Sequence, residues 1–212
     1  MDTVRSSLPL INLKVVLLVT AGTVLVVWLG AATELDRAVL HWLAWPEKQP
    51  RSDLLLLLRV WGSLWTWCLI ALAATLQHCS GRLALGSPAR ALGLPLLLVP
   101  ASAGGLAELL KLLIRRKRPS ELEVYLFRAW NEQPWSTKGL GLPSSHTAVA
   151  FAGSMALALL YPRLAWPALV VAMGCGFTRI ASGAHYPSDV VAGAMVGIIT
   201  ALALTPLRRP AR

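Results

Sequence analysis

The sequence predicts an all-α, polytopic membrane protein built as a six-transmembrane helix bundle. Three observations carry that expectation. Hydrophobic residues make up 56% of the 212 residues and charged ones only 14%, whereas a soluble domain carries about 25% charged residues. Mean hydropathy is +0.60. The apolar residues also fall into six runs, each about long enough to cross ~30 Å of hydrocarbon as a helix. Little sheet is expected, because an open strand edge cannot be satisfied in lipid. The length leaves little room for a large soluble domain, so a single domain over 1–212 is expected.

The runs come in order at roughly 15–33, 54–77, 91–114, 146–161, 164–181 and 187–205. The first also resembles a signal peptide, with a basic start and small residues at its end. Its apolar stretch exceeds the ~7–15 residues of a signal h-region, so a retained helix is expected. The fourth run is the shortest and only marginally spans. Residues 34–53 carry Trp42, Trp45 and mixed charges, which suits an amphipathic segment at the interface. Residues 115–142 form the longest loop, with Trp130, Trp135, Gly139 and Gly141. Loops of this length are usually functional or disordered.

Net charge is +10. In a membrane protein this points to anionic lipid or phosphate. No soluble module interleaves basic residues with aromatics, so nucleic acid is not an expected partner. Cys68, Cys79 and Cys175 form no CxxC pair and read as small hydrophobes.

Ionisable residues at or near spans are costly and often functional. Arg59 and Glu108 lie within runs. Glu108 can pair with Lys111 three residues on, and Arg59 has no assignable role. Four other groups stand out. The stretch KLLIRRKRP, 111–119, puts Lys111, Arg115 and Arg118 on one helical stripe, with Pro119 ending the helix. In LPSSHTAVAF, 142–151, Ser144 or Ser145 can cap the fourth helix, and a helix start is a ready anion site. His146 falls in its first turn. Arg179 sits near the end of the fifth run. HYPSD, 185–189, puts Pro187 at the first position of the sixth helix and Asp189 at the third. His185 lies just outside that start, and a carboxylate partner can fix its tautomer and make it a nucleophile. Each group alone also has an ordinary reading as cap, interfacial histidine or snorkelling charge. Alternation of the spans, however, puts all four on one side of the membrane.

Together these residues resemble a known family, the type 2 phosphatidic acid phosphatases, over residues 111–189. The pattern is Lys-x6-Arg-Pro, then Pro-Ser-Gly-His, then Ser-Arg-x5-His-x3-Asp. The chain has Lys111 to Arg118 and Pro119, then Pro143, Ser144, Ser145 and His146, then Thr178, Arg179, His185 and Asp189. Ser145 stands in place of glycine and Thr178 in place of serine. The resemblance implies that His185 attacks phosphorus, that Asp189 orients it, and that His146 protonates the leaving oxygen. It implies phosphate binding by Lys111, Arg118, Arg179, Ser144 and Ser145. It implies a membrane lipid phosphate as substrate, and neither metal nor cofactor. A phosphotransferase on the same scaffold and a non-enzymatic anion or lipid transporter remain as alternatives.

Arg115, Arg116 and Lys117 exceed this pattern and are expected to select a multiply charged headgroup. Basic residues number ten on the site's side and eight on the other, so a bare positive-inside count puts the site in the cytoplasm. Setting aside Lys111 and Arg115 to Arg118 as phosphate ligands reverses it. The expectation is therefore a site facing outward from a bacterial inner membrane. Oligomeric state is not readable from the sequence.

Overall fold

A computed structural model describes residues 20–22, 24–25, 27–28, 34–44, 53–79, 90–119 and 127–205. Those of the first run are helical, but its retention, like the placement of Trp45, lies outside the described residues. Seven α-helices follow among the described residues: α1 (Leu35–Leu43), α2 (Asp53–Val60), α3 (Leu64–Cys79), α4 (Arg90–Ile114), α5 (Ser145–Leu160), α6 (Ala165–Ala181), which a 3-10 turn over Pro162–Leu164 leads into, and α7 (Pro187–Leu204). Among the described residues, extended pairing is limited to two isolated bridges. Gly93–Ile114, Pro162–Ala181 and Pro187–Leu204 are each long and apolar enough to cross a bilayer. Over its described residues the chain is all-helical, and it is an integral membrane protein.

The second run departs from the straight helix expected of it. α2 and α3 are bent by 71° at a break between them. Breaking a helix frees carbonyls, which must be satisfied where water is scarce. The Thr66 hydroxyl donates to Val60 O at 2.6 Å, and Trp67 Nε1–H donates to Trp61 O at 2.9 Å. Gly62 lets the bend press against α5, since a Cβ there would lie 2.5 Å from His146 O. Trp61 Nε1–H then donates to Ser154 Oγ at 2.8 Å.

α5 lies among α4, α6 and α7. Ala148, Ala152 and Ala156 form a fully buried stripe along it. The facing stripe on α7 is Gly193, Gly197 and Ala201. A Cβ at Gly193 would lie 2.4 Å from Ser144 O, and one at Gly197 2.4 Å from Ala148 O. Without a hydrophobic drive between helices in lipid, such close backbone approach is what packs them. Trp67 of α3 fills the space over Gly153, where a Cβ would sit 2.2 Å from its ring.

α4 also ends earlier than expected. It stops at Ile114, and Arg115 takes a left-handed φ of 61°. Arg118 therefore does not continue the helical stripe of Lys111, and Pro119 is not the helix stop. Instead, Arg116 pairs with Phe127 and Lys117 with Leu140. A left-handed non-glycine residue costs about 1–2 kcal/mol. Arg115 offsets this through its side chain, which donates to the carbonyls of Arg128, Ala129, Glu132 and Pro134 and stacks on Trp130.

Candidate active site

The four groups singled out in the sequence meet at one end of the bundle. α4 arrives with its C-terminal turn, α5 with its first turn, α6 with its last and α7 with its first. α7 starts as its sequence predicts. Tyr186 is the N-cap, Pro187 is the first residue, and the Asp189 carboxylate accepts the Tyr186 N–H at 3.0 Å. The Ser144 N–H donates to Asp189 O at 2.9 Å, which ties α5 to α7. The His185 N–H donates to Arg179 O at 3.2 Å, which ties α7 to α6.

Lys111 is buried, and its ammonium donates to Glu108 Oε1 at 2.7 Å. Ser145 bonds to both Glu108 and Lys111. The serine that replaces the pattern's glycine therefore holds the pattern's lysine. Ser144 occupies the N-cap of α5, but its side chain does not cap the helix. Its Oγ instead accepts the Thr147 hydroxyl at 3.0 Å. The first-turn N–H groups of α5 have no acceptor within their helix. His146 sits in this turn, half-buried, within electrostatic reach of Arg179, Arg59, His185 and Lys111.

His185 and Asp189 are buried to 1% and 0% exposure. Nδ1 of His185 lies 3.5 Å from Asp189 Oδ2, a long contact. Burial is the largest influence on the imidazole and holds its pKa below the ordinary histidine value. Asp189 pulls the other way, while Arg179 and Arg118 reinforce burial. The ring is thus neutral at neutral pH. The second oxygen of Asp189 accepts from Arg116 at 3.1 Å. Arg116 in turn pairs with Asp36 of α1 at 2.9 Å and donates to Ser188 Oγ at 2.8 Å. Asp36 also accepts the Ser188 N–H at 2.8 Å and bonds its hydroxyl.

This placement corrects the expected role of the extra basic residues. Arg115 and Arg116 are each 2% exposed. One is bonded to loop carbonyls and the other to two carboxylates, so neither presents its charge to a headgroup. Lys117 is half-buried and Arg118 exposed. Arg118 and Arg179 line one cavity of about 240 Å³, together with Thr178 and Ser182. Sequence reasoning missed Asp36, Ser188 and the role of Arg116. The available signal for Asp36 was an acid within the amphipathic segment that precedes the second run. Gly141 was noted only as a loop glycine, yet a Cβ there would lie 2.7 Å from Asp189 Oδ2. Chemically, the arrangement offers a neutral imidazole backed by a carboxylate, a second imidazole, and several cations around a place for an oxyanion.

Comparison with known proteins agrees with this chemistry. The chain is 38% identical over 95 residues to the lipid A 1-phosphatase of Rhizobium etli, covering 45% of the chain and 41% of that protein. It is 40% identical over 57 residues to the undecaprenyl-diphosphatase BcrC of Bacillus subtilis, covering 27% and 30%. The chain thus spans less than half the length of these curated relatives. Its fold is similar to the crystal structure of a transmembrane PAP2-type phosphatidylglycerolphosphate phosphatase from Bacillus subtilis. The TM-score is 0.65 and the identity 17%, over 88% of this chain and 92% of that one. The profile of the PAP2 superfamily matches residues 92–212. That match covers more than half of the chain and every residue of the three motifs, so the chain belongs to the PAP2 superfamily.

Proposed function

We propose that the protein is a membrane lipid phosphate phosphatase working through a phosphohistidine. The observation that carries this reading is the buried His185–Asp189 pair, set beside Arg118, Arg179 and Lys111 at the ends of membrane helices. His185 Nε2 attacks phosphorus, and the bond to the lipid oxygen breaks. His146 protonates that oxygen as it leaves. Water then attacks phosphorus, with His146 as base, and the P–N bond breaks to release inorganic phosphate. Asp189 keeps the proton on Nδ1, so the lone pair remains on Nε2. Arg118, Arg179, Lys111, the Ser144 hydroxyl and the first-turn N–H groups from Ser145 onward neutralise the phosphoryl oxygens. Positioning and charge stabilisation supply most of what phosphoryl transfer requires. The scheme calls for no metal or cofactor.

The substrate is an amphiphile whose phosphate reaches the interface while its tails stay in lipid. The relatives' names give the candidates: a lipid A phosphate, undecaprenyl diphosphate and phosphatidylglycerophosphate. The chain acts as one domain of six spans: the first run, the bent α2–α3 pair, α4, α5, α6 and α7. α5 has 16 residues and reaches only about 24 Å at 1.5 Å per residue. Its neighbours carry it through the remaining thickness. The site faces outward from a bacterial inner membrane. Burial of Lys111, Arg115, Arg116 and Arg128 in internal bonds supports this orientation. Without them, six basic residues remain on the site's side against eight opposite.

The test is phosphate release by purified protein from a panel of lipid phosphates in the presence of EDTA, with His185→Ala as the blank. Release that survives EDTA and vanishes in the blank is expected. Release that persists unchanged in His185→Ala would overturn the mechanism.

A further inference from the structure

The cavity shared by Arg118 and Arg179 has a third arginine in its wall, Arg59. No family motif includes this residue. It sits on α2, at the end of the arm bent by 71° from α3. That arm lies against α6, where a Cβ on Gly174 would meet Leu58 at 2.7 Å. The bend thus puts a charge that would be costly along an apolar span beside the two motif arginines. Among the described residues, no carboxylate lines this cavity. The Arg59 guanidinium likewise has no hydrogen-bond or ion-pair partner among them. Three like charges around one cavity repel unless an anion joins them.

A phosphomonoester carries at most two negative charges, which Arg118, Arg179 and Lys111 already match. Arg59 is surplus for that ligand. We propose that Arg59, with Arg118 and Arg179, forms a subsite for a second phosphate bonded to the one that reacts. The preferred substrate is then a lipid diphosphate. This rests on the phosphatase reading above and names its substrate class. His185 attacks the terminal phosphorus, and the bond to the bridging oxygen breaks. The electron pair leaves on that oxygen as part of a lipid monophosphate. Arg59 neutralises this leaving phosphate, so it acts on the charge that grows in the transition state. Water then releases inorganic phosphate from His185.

The experiment compares a polyprenyl diphosphate with the polyprenyl monophosphate of the same tail, for wild type, Arg59→Gln and Arg59→Lys. A charge-assisted hydrogen bond is worth a factor of roughly ten to a hundred. Arg59→Gln is therefore expected to lower the diphosphate-to-monophosphate ratio of kcat/KM by that factor, and Arg59→Lys to restore most of it. Inorganic pyrophosphate should lose potency as an inhibitor of Arg59→Gln more than inorganic phosphate does, which separates headgroup from tail recognition. An unchanged ratio, with both substrates still hydrolysed by wild type, overturns the subsite alone. Failure of wild type on both polyprenyl substrates, with release from another lipid phosphate of the panel above, overturns the diphosphate assignment alone, and failure on the whole panel overturns the phosphatase reading and the subsite with it.

Discussion

Asp36 and Asp189 share one guanidinium, that of Arg116, and all three are buried. Two carboxylates thus lean on one guanidinium, beside a neutral His185. Asp36→Asn leaves Arg116 paired with Asp189 but weakens the charge-assisted bonds of Asp36 to Arg116 and Ser188, each worth about 1.5–3 kcal/mol, so it should lower thermal stability by an amount of that order. It should also lower kcat with little change in KM, because Arg116 would then draw Asp189 from His185. Asp36→Glu should recover part of the kcat, and a purely structural role for Asp36 would show equal specific activity in the folded fraction. The lowered pKa of His185 sets a second expectation. The ring stays neutral to lower pH than a free histidine, so the acid limb of kcat/KM should lie below about pH 6.5. On unfolding the ring gains a proton more readily, so its contribution to stability is lost as pH falls through the window beneath about 6.5. A pH–rate profile with an acid limb well above that value would contradict this assignment.

At the scale of elements, Gly193 and Gly197 set how closely α7 approaches α5. Inserting methyl groups into such a contact costs about 1–3 kcal/mol. Gly197→Val, at the level of Ala148, is expected to lower stability in a melting assay. Gly193→Ala, at the level of Ser144, should also lower activity per folded molecule, because it displaces the first turn that carries His146. What the sequence disclosed follows the same division. The start of α7 was legible because Tyr186, Pro187 and Asp189 act within a few residues of one another. The end of α4 was not, because Lys111 and Arg118 fit two helical turns as well as they fit a helix followed by an extended segment. Only the carbonyls of the 128–134 loop, gathered by the Arg115 side chain, decide for the latter. The α2–α3 bend was hidden for a similar reason. Thr66 and Trp67, which satisfy it, look like ordinary residues of an apolar run until the chain folds.

At the scale of the whole molecule, the motifs gave the site's membership before its geometry. The spacing of Lys111, Arg118, His146, Arg179, His185 and Asp189 names a chemistry, and alternation of the spans puts these residues on one side. It could not show that Arg115 and Arg116 are turned inward, because burial of a charge depends on partners as distant as Asp36. Orientation depends on charges along the whole sequence, and the orientation proposed above predicts a cytoplasmic C-terminus. A periplasm-dependent phosphatase reporter fused after Arg212 should therefore be inactive, and strong reporter activity would reverse the assignment.

The Asp36 contact also bears on how the protein must be handled. α1 turns Trp42 outward at 85% exposure and Leu35 at 54%, while its Asp36 is 2% exposed. That division suits a helix whose apolar face rests on the bilayer surface, as its sequence is expected to do. On the proposed reading, the lipid surface is then linked to His185 through Asp36, Arg116 and Asp189. Harsh short-chain detergent that strips the surface from α1 should silence the protein before it melts, and reconstitution in a lipid nanodisc should revive it. Turnover measured in detergent alone would then report on the solvent chosen as much as on the protein.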